Sequence, residues 1–158
     1  MTSSRYAELQ VTSHFSFLRG ASSSEELFAT AAALGIEALG IVDRNSLAGA
    51  VRAHEAAKTT GVRLVIGCRL DLSDDTSVLV YPTNRAAYAR LCRLLSLGKK
   101  RAGKGKCDLA WADLVAYGEG LLVVLVPDTV NEDCALRLRR LREVFGDRLY
   151  GAFAAPAA

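Results

Sequence analysis

Short apolar runs alternate with amphipathic segments along the 158 residues of this chain. Apolar runs of strand length predict strands, and apolar residues at helical spacing between them predict helices. The predicted strands cover residues 8–12, 38–42, 63–68, 77–81, 121–126 and 149–153. Strands that alternate with helices predict an α/β fold with a mostly parallel sheet, open or barrel-like. A closed (β/α)₈ barrel takes about 250 residues, so we expect the (β/α) barrel-like fold to be incomplete in this chain.

Capping residues and glycines predict where the first two helices begin and end. The first helix follows a capping box within residues 22–26 and ends at Gly35. The second covers about residues 46–60, and its spacing predicts a buried face formed by Leu47, Ala50, Val51, His54 and Ala57.

The second half of the chain carries three further helix signals. A helix begins after residues 82–84 and is predicted to stop at Gly98, and a short helix covers 109–117. The last helix is predicted to begin with a capping box at 129–132. A polar turn at residues 73–76 predicts an antiparallel hairpin between its flanking strands.

Composition limits the function classes only weakly. Hydrophobic residues make up 51% of the chain, enough for a real core, and the net charge of +3 permits nucleic-acid contact without arguing for it. The longest apolar run is too short to span a bilayer, so no membrane partner is expected. The four cysteines form no C-x-x-C pair and no signal peptide is apparent, which favours reduced thiols and a cytoplasmic location.

One strongly basic segment follows the third predicted helix. Residues 99–106 are predicted to form a basic loop that contains two glycines. Its cations could contact DNA phosphates, although a solvated loop is the favoured interpretation. The candidate contacts are Lys99, Lys100, Arg101, Lys104 and Lys106.

The ends of the predicted strands are where an α/β fold places its site. A hydrolytic metal site needs histidines and carboxylates there, to hold cations that activate water. Asp43 has the right type and position, but Gln10 and Thr12 are weak neutral ligands, and Arg44 and Arg69 would repel a metal ion. We therefore favour a structural role for Asp43, either capping the next helix or pairing with one of these arginines.

Three segments at these strand ends resemble the motifs of the PHP (polymerase and histidinol phosphatase) domain family. Residues 9–20 resemble its opening motif L-H-x-H-S-x-Y-S-x-L-D-G, and 41–49 resemble a strand that ends in T-D-H before N-x-x-G. Residues 64–70 resemble its third motif, a strand that leads to G-x-E. The segments 6–13, 43–49 and 88–99 are similar to the N-terminal PHP domain of bacterial error-prone DNA polymerases, relatives of the DNA polymerase III alpha subunit. The likeness covers about residues 5–153, with residues 1–4 expected to be disordered and 154–158 to form a tail.

The departures from the family motifs fall on its metal ligands. Gln10 and Thr12 replace the paired histidines, Arg44 replaces the third histidine, and Arg69 replaces the glutamate. These four positions and Asp43 are the vestigial metal-site positions that the resemblance implies. We expect no catalytic residue, no metal and no cofactor in this chain, although the resemblance implies Mg²⁺ for a parent polymerase.

The resemblance implies a structural region of a damage-tolerant, translesion DNA polymerase that acts in DNA repair. Its expected partners are the rest of the polymerase chain, DNA and accessory translesion proteins. Two alternatives stay open, a stand-alone PHP-type metal-dependent phosphoesterase and a free-standing interaction module.

Overall fold

A computed structural model describes residues 5–153 of the protein. The disordered N-terminus expected at residues 1–4 and the tail expected at 154–158 lie outside the described residues. The described residues divide into two compact units, with the boundary between Arg69 and Leu70.

The first unit is built on a three-stranded parallel sheet. Its strands are β1 (Ala7–Val11), β2 (Ala38–Ile41) and β3 (Arg63–Ile66), in that order across the sheet. Helices α1 (Ser24–Ala33) and α2 (Ala50–Thr60) connect them, as the alternating pattern predicts. Phe28 of α1 and Ala53 of α2 are fully buried against the sheet core. Parallel pairing brings the C-terminal ends of all three strands to one edge.

Local sequence explains most boundaries in this unit. Ser23 caps α1 in the predicted capping box, and its hydroxyl accepts a hydrogen bond from the Glu26 amide. The predicted face of α2 was wrong at Val51 and His54, which are exposed, whereas Ala53 and Ala56 are buried and Ala57 packs partly buried against the core. Short alanines let this helix pack closely on the sheet, so its buried face follows the small side chains rather than the largest apolar ones.

A four-stranded sheet in the order β4, β5, β6, β7 belongs mainly to the second unit, since only the first two residues of β4 precede residue 70. These strands are β4 (Cys68–Asp71), β5 (Ser77–Pro82), β6 (Leu121–Leu125) and β7 (Leu149–Gly151). β5 and β6 pair antiparallel, and β6 and β7 pair parallel, so this sheet is mixed rather than mostly parallel. β4 and β5 are neighbours joined by the predicted turn, in which the Leu72 amide donates to the Thr76 carbonyl. β6 alternates buried and half-buried residues along its length.

Three helices complete the second unit, and two of their predicted boundaries were wrong. α3 (Arg85–Ala102) continues through Gly98, α4 covers Trp111–Tyr117, and α5 covers Glu132–Phe145. Gly98 is buried where a Cβ atom would lie 2.6 Å from the Leu109 side chain, so this glycine permits close packing and does not end the helix. The N-cap of α5 is Asn131, whose side chain accepts from the Cys134 amide.

Two further expectations concern the membrane and the cysteines. No helix among residues 5–153 is long and apolar enough to cross a membrane. The four cysteines are free thiols, and Cys68 and Cys134 are buried.

Candidate functional site

The predicted site positions of the first unit meet at the C-terminal edge of its sheet. The Val42 amide donates to the Val11 carbonyl (N···O 2.8 Å), and the Gly67 amide donates to the Ile41 carbonyl (N···O 3.1 Å). These bonds carry the parallel pairing past the strand ends, so the segments at Gln10–Thr12, Asp43–Arg44 and Gly67–Arg69 adjoin. Pro127 and Asp128, which follow β6, belong to the second unit.

Asp43 is the buried centre of this edge, with only 2% of its surface exposed. Its Oδ1 accepts hydrogen bonds from the Ser13 amide (2.8 Å) and the Ser16 hydroxyl (2.7 Å). Its Oδ2 accepts one from the Ser13 hydroxyl (2.7 Å). Both carboxylate oxygens are therefore satisfied by groups of the loop that follows β1.

The two serines also organise that loop. The Ser16 Oγ accepts from the Arg44 amide (2.8 Å), and the Ser13 Oγ accepts from the Phe15 amide (3.2 Å). Each hydroxyl thus donates to Asp43 and accepts from a backbone amide. Because buried polar groups are costly when unpaired, this reciprocal network fixes the loop to the end of β2.

Arg44, which follows β2, and Arg69, which lies in β4, continue the parallel pairing past the ends of β2 and β3. They form a parallel bridge in which the Arg69 amide donates to the Asp43 carbonyl (3.1 Å) and the Asn45 amide to the Arg69 carbonyl (2.7 Å). The strand ends are thus joined through their backbones. Asp43 does not cap α2, whose N-cap is Gly49 with no side-chain hydrogen bond.

The surroundings of Asp43 leave little free space. A Cβ atom on Gly49 would lie 2.8 Å from the Phe15 ring and 3.3 Å from Asp43 Oδ2, so Gly49 packs closely against both the ring and the carboxylate. A cavity lined by Asp43, Ser46, Gly67 and apolar side chains measures about 10 Å³. A cavity of that volume can hold about one water molecule.

The residues present do not fit the multinuclear metal site of the PHP motifs. Within residues 5–153, no group of three or more histidine, cysteine or acidic side chains is placed to hold a metal ion. Asp43 is the one acidic residue of the vestigial set, and both of its oxygens already accept hydrogen bonds. Exposed Gln10 and half-buried Thr12 add only neutral oxygens, and Arg44 and Arg69 add positive charge. No catalytic step through a metal ion follows from this donor set.

The basic segment of the second unit differs from the predicted loop. Lys99, Lys100 and Arg101 lie in the last turn of α3, and only Lys104 and Lys106 lie in the glycine-containing turn after it. α3 continues through Gly98, because this glycine packs against the Leu109 side chain and does not act as a helix C-cap.

Arg101 is tied to its own unit. Its guanidinium contacts both carboxylate oxygens of Asp113 at 2.7 and 3.2 Å. Asp113 also accepts from the Ala110 amide (2.8 Å). The guanidinium first, and this amide second, hold the pKa of Asp113 below its usual value. Arg101 therefore links α3 to the start of α4.

Sequence reasoning located Asp43 but missed its partners. Ser13 and Ser16 were matched only as motif positions, although two hydroxyls spaced three residues apart after a strand are suited to bind one carboxylate. Phe15 and Gly49 likewise acquire a role only once the loop and the start of α2 are seen together.

Comparison with solved structures defines the class of fold. The chain superposes on a structure assigned as a metal-dependent phosphoesterase from Bifidobacterium adolescentis with a TM-score of 0.68 and 14% identity, covering 94% of this chain and 77% of that one. An amidohydrolase from Chromobacterium violaceum, solved with sulfate and no metal, gives a TM-score of 0.63 at 17% identity, covering 92% and 75%. The chain therefore has the mixed α/β fold of PHP-like phosphoesterases and amidohydrolases.

The sequence assigns the family within that class: the chain belongs to the PHP domain family, whose match spans residues 8–149. Curated relatives include error-prone DNA polymerase 1 of Agrobacterium fabrum, 72% identical over 152 residues, and error-prone DNA polymerase 2 of Rhizobium meliloti, 67% identical over 146. The error-prone DNA polymerase of Caulobacter vibrioides is 57% identical over 129 residues. These matches cover 96%, 92% and 81% of this chain but only 14%, 13% and 12% of the relatives.

Proposed function

We propose that this chain is the PHP region of an error-prone DNA polymerase and that it serves the polymerase as a structural region without catalysis of its own. High identity to polymerases over nearly the whole chain supports the first part. The hydrogen bonding of Asp43 supports the second, because both oxygens of this buried carboxylate already accept hydrogen bonds from Ser13 and Ser16 and no second acidic side chain of the motif set is present.

The activity of such a parent enzyme would reside outside this chain. A polymerase of this kind joins nucleotides to a primer during damage-tolerant synthesis and repair, with Mg²⁺ held by carboxylates of its catalytic domain. The present chain would contribute a folded surface to the rest of the polymerase chain, and DNA or accessory translesion proteins are further candidate partners.

A phosphodiesterase assay distinguishes this proposal from a stand-alone phosphoesterase. We expect no turnover of bis(p-nitrophenyl) phosphate above the protein-free rate in Mn²⁺ or Zn²⁺. Turnover by the natural sequence that Asp43→Asn abolishes, with unchanged circular dichroism, would overturn the proposal. Asparagine is the better variant here because it keeps one acceptor oxygen and nearly the same volume.

A converse variant tests whether the changed residues are the reason for inactivity. Gln10→His, Thr12→His, Arg44→His and Arg69→Glu together rebuild the donor set of the PHP motifs around Asp43. Isothermal titration with Mn²⁺ should detect binding to this variant and none to the natural sequence. Equal binding by both would contradict the proposed loss of the metal site.

A further inference from the structure

The longest helix of the chain carries charge of a single sign. From Arg85 to Cys107 the sequence has eight lysines and arginines and no acidic residue. α5, by comparison, contains three acidic residues among its fourteen, and its Arg137 pairs with Asp133 at 2.7 Å. The absence of acidic residues in α3 removes the internal ion pairs that ordinarily stabilise an exposed helix face.

Two of the eight cations have structural partners. Arg101 binds Asp113, and Arg90 donates to the Glu119 carbonyl and lies 3.7 Å from its carboxylate. The other six are exposed, and within residues 5–153 no carboxylate lies in ion-pair range of them. They are Arg85, Arg93, Lys99, Lys100, Lys104 and Lys106.

The helical members of this set share one face. At about 100° per residue, the side chains at 85, 93, 99 and 100 fall within roughly 120° of one another. The buried residues Ala87, Leu91, Leu94, Leu95 and Gly98 lie on the opposite side of the helix. Arg85, Arg93 and Lys100 follow one another at intervals of about 12 and 10 Å along the axis. We call these six cations the α3 basic face.

Helix stability does not account for this arrangement. Lys99 and Lys100 at the C-terminus complement the helix dipole, but Arg85 occupies the first position of α3, where acidic residues are favoured. Arg93 lies mid-helix, without an acidic neighbour. The basic face therefore includes one cation that opposes the dipole and one that the dipole does not require.

The residues between the charges indicate the kind of partner. Ala86, Ala89 and Ser96 are the exposed residues between the cations, and the larger side chains at the margins of the face, Tyr88 and Leu97, are half-buried. Such a face offers no stacking platform for bases and no wedge for a lipid surface. Regularly spaced cations on a smooth helix suit a regularly spaced row of phosphates.

We infer that the α3 basic face binds the phosphate backbone of DNA without reading its sequence. Gly103 and Gly105, both at positive φ, form the turn that places Lys104 and Lys106 beyond the helix end. Arg101 is excluded from the face because Asp113 already neutralises it. Backbone binding through this face is independent of whether the chain catalyses a reaction.

Fluorescence anisotropy with a labelled 20-base-pair duplex and the matching single strand tests the inference. We compare Arg93→Glu/Lys100→Glu with a control pair, Arg52→Glu/Arg139→Glu, taken from exposed positions on α2 and α5. Each pair changes the net charge from +3 to −1, since every reversal contributes −2. The face variant should raise the Kd for duplex at least tenfold at 50 mM salt and reduce the salt slope by about 2. The control should change the Kd less than threefold.

Several results would overturn the inference. These are no DNA binding at 50 mM salt, an equal loss in both variant pairs, or polyglutamate binding as tight as DNA binding, which would indicate an acidic protein partner. Arg93→Gln/Lys100→Gln removes charge without reversing it and should give an intermediate loss. Circular dichroism melting verifies that each variant is folded. Comparable affinity for both DNA forms supports backbone contact, whereas binding that depends on base sequence contradicts it.

Discussion

The Asp43 site and the α3 basic face differ in the burial and pairing of their charged groups. Asp43 is buried, and its carboxylate oxygens accept three hydrogen bonds from its own unit. The basic face is exposed, and its cations have no acidic partner within residues 5–153. A buried polar group that is hydrogen-bonded within its own unit contributes to stability, whereas exposed charge without a partner favours binding of an oppositely charged one. The PHP motifs lie at the Asp43 site, but the charges without an acidic partner among residues 5–153 lie on the α3 basic face.

The largest expected effect comes from breaking the Asp43 network. Asp43→Ala leaves the Ser13 amide and the hydroxyls of Ser13 and Ser16 buried without their acceptor, and we expect a loss of about 3 to 4 kcal/mol in the free energy of unfolding. Urea unfolding in the presence of a metal chelator measures it. Asp128→Ala, at an exposed aspartate, should stay within about 0.5 kcal/mol of the natural protein.

This result would also separate the two roles considered for Asp43. A carboxylate kept only to bind metal would be a buried charge without a partner when the metal is removed, so its loss should not destabilise the fold in chelator. Unchanged stability of Asp43→Ala in chelator would therefore contradict the contrast between the two regions.

Sequence patterns predicted the elements of this chain better than their faces and ends. The capping box at Ser23 identified the start of α1 because its signal is wholly local. The boundaries predicted at Gly98 and Thr129 were wrong. Gly98 lies inside α3 and packs against Leu109, and Thr129 lies two residues before Asn131, the N-cap of α5. The first error arose because tertiary packing overrides a local signal, and the second because two local capping signals compete and Asn131 caps the helix.

The candidate site was predictable in position but not in chemistry. Strand order placed Asp43 at a sheet edge, and residue type alone argued against metal binding. That Ser13 and Ser16 would turn back to bind its carboxylate depends on the loop conformation, which places Leu18 at a positive φ of 61°. Likewise, the basic loop predicted at 99–106 became a helix face only once α3 was seen to continue.

We expect Arg101→Ala to have an intermediate effect on stability. This variant tests whether Arg101, which pairs with Asp113, differs from the other cations of the same basic segment. Arg101→Ala removes the guanidinium that lowers the pKa of Asp113, and should reduce the melting temperature by a few degrees at pH 7. Because the folded pKa is depressed, this stabilisation is present above the unfolded pKa of about 4 and is lost as pH falls through the folded pKa. The melting curves of the variant and the natural protein should therefore converge in strong acid.

Lys100→Ala is the matched control for that comparison. It is adjacent and exposed, so its melting temperature should hardly change, while its DNA affinity falls more than that of Arg101→Ala. If Arg101→Ala weakened DNA binding more than Lys100→Ala, Arg101 would belong to the binding face and the distinction drawn from Asp113 would be wrong.

The smallest expected change is the most specific one, because stability and binding should move in opposite directions. Arg85→Glu places a carboxylate at the first position of α3, where the helix dipole favours it by about 0.5 kcal/mol, and at the same time removes the leading cation of the basic face. Urea unfolding at low salt should show a slightly more stable protein, and anisotropy a several-fold higher Kd for the duplex. Arg139→Glu, within α5 and away from its ends, should alter neither by a comparable amount. A gain in stability without loss of binding would place the N-terminal end of α3 outside the contact. A joint loss would mean that Arg85 stabilises the fold, contrary to the dipole argument.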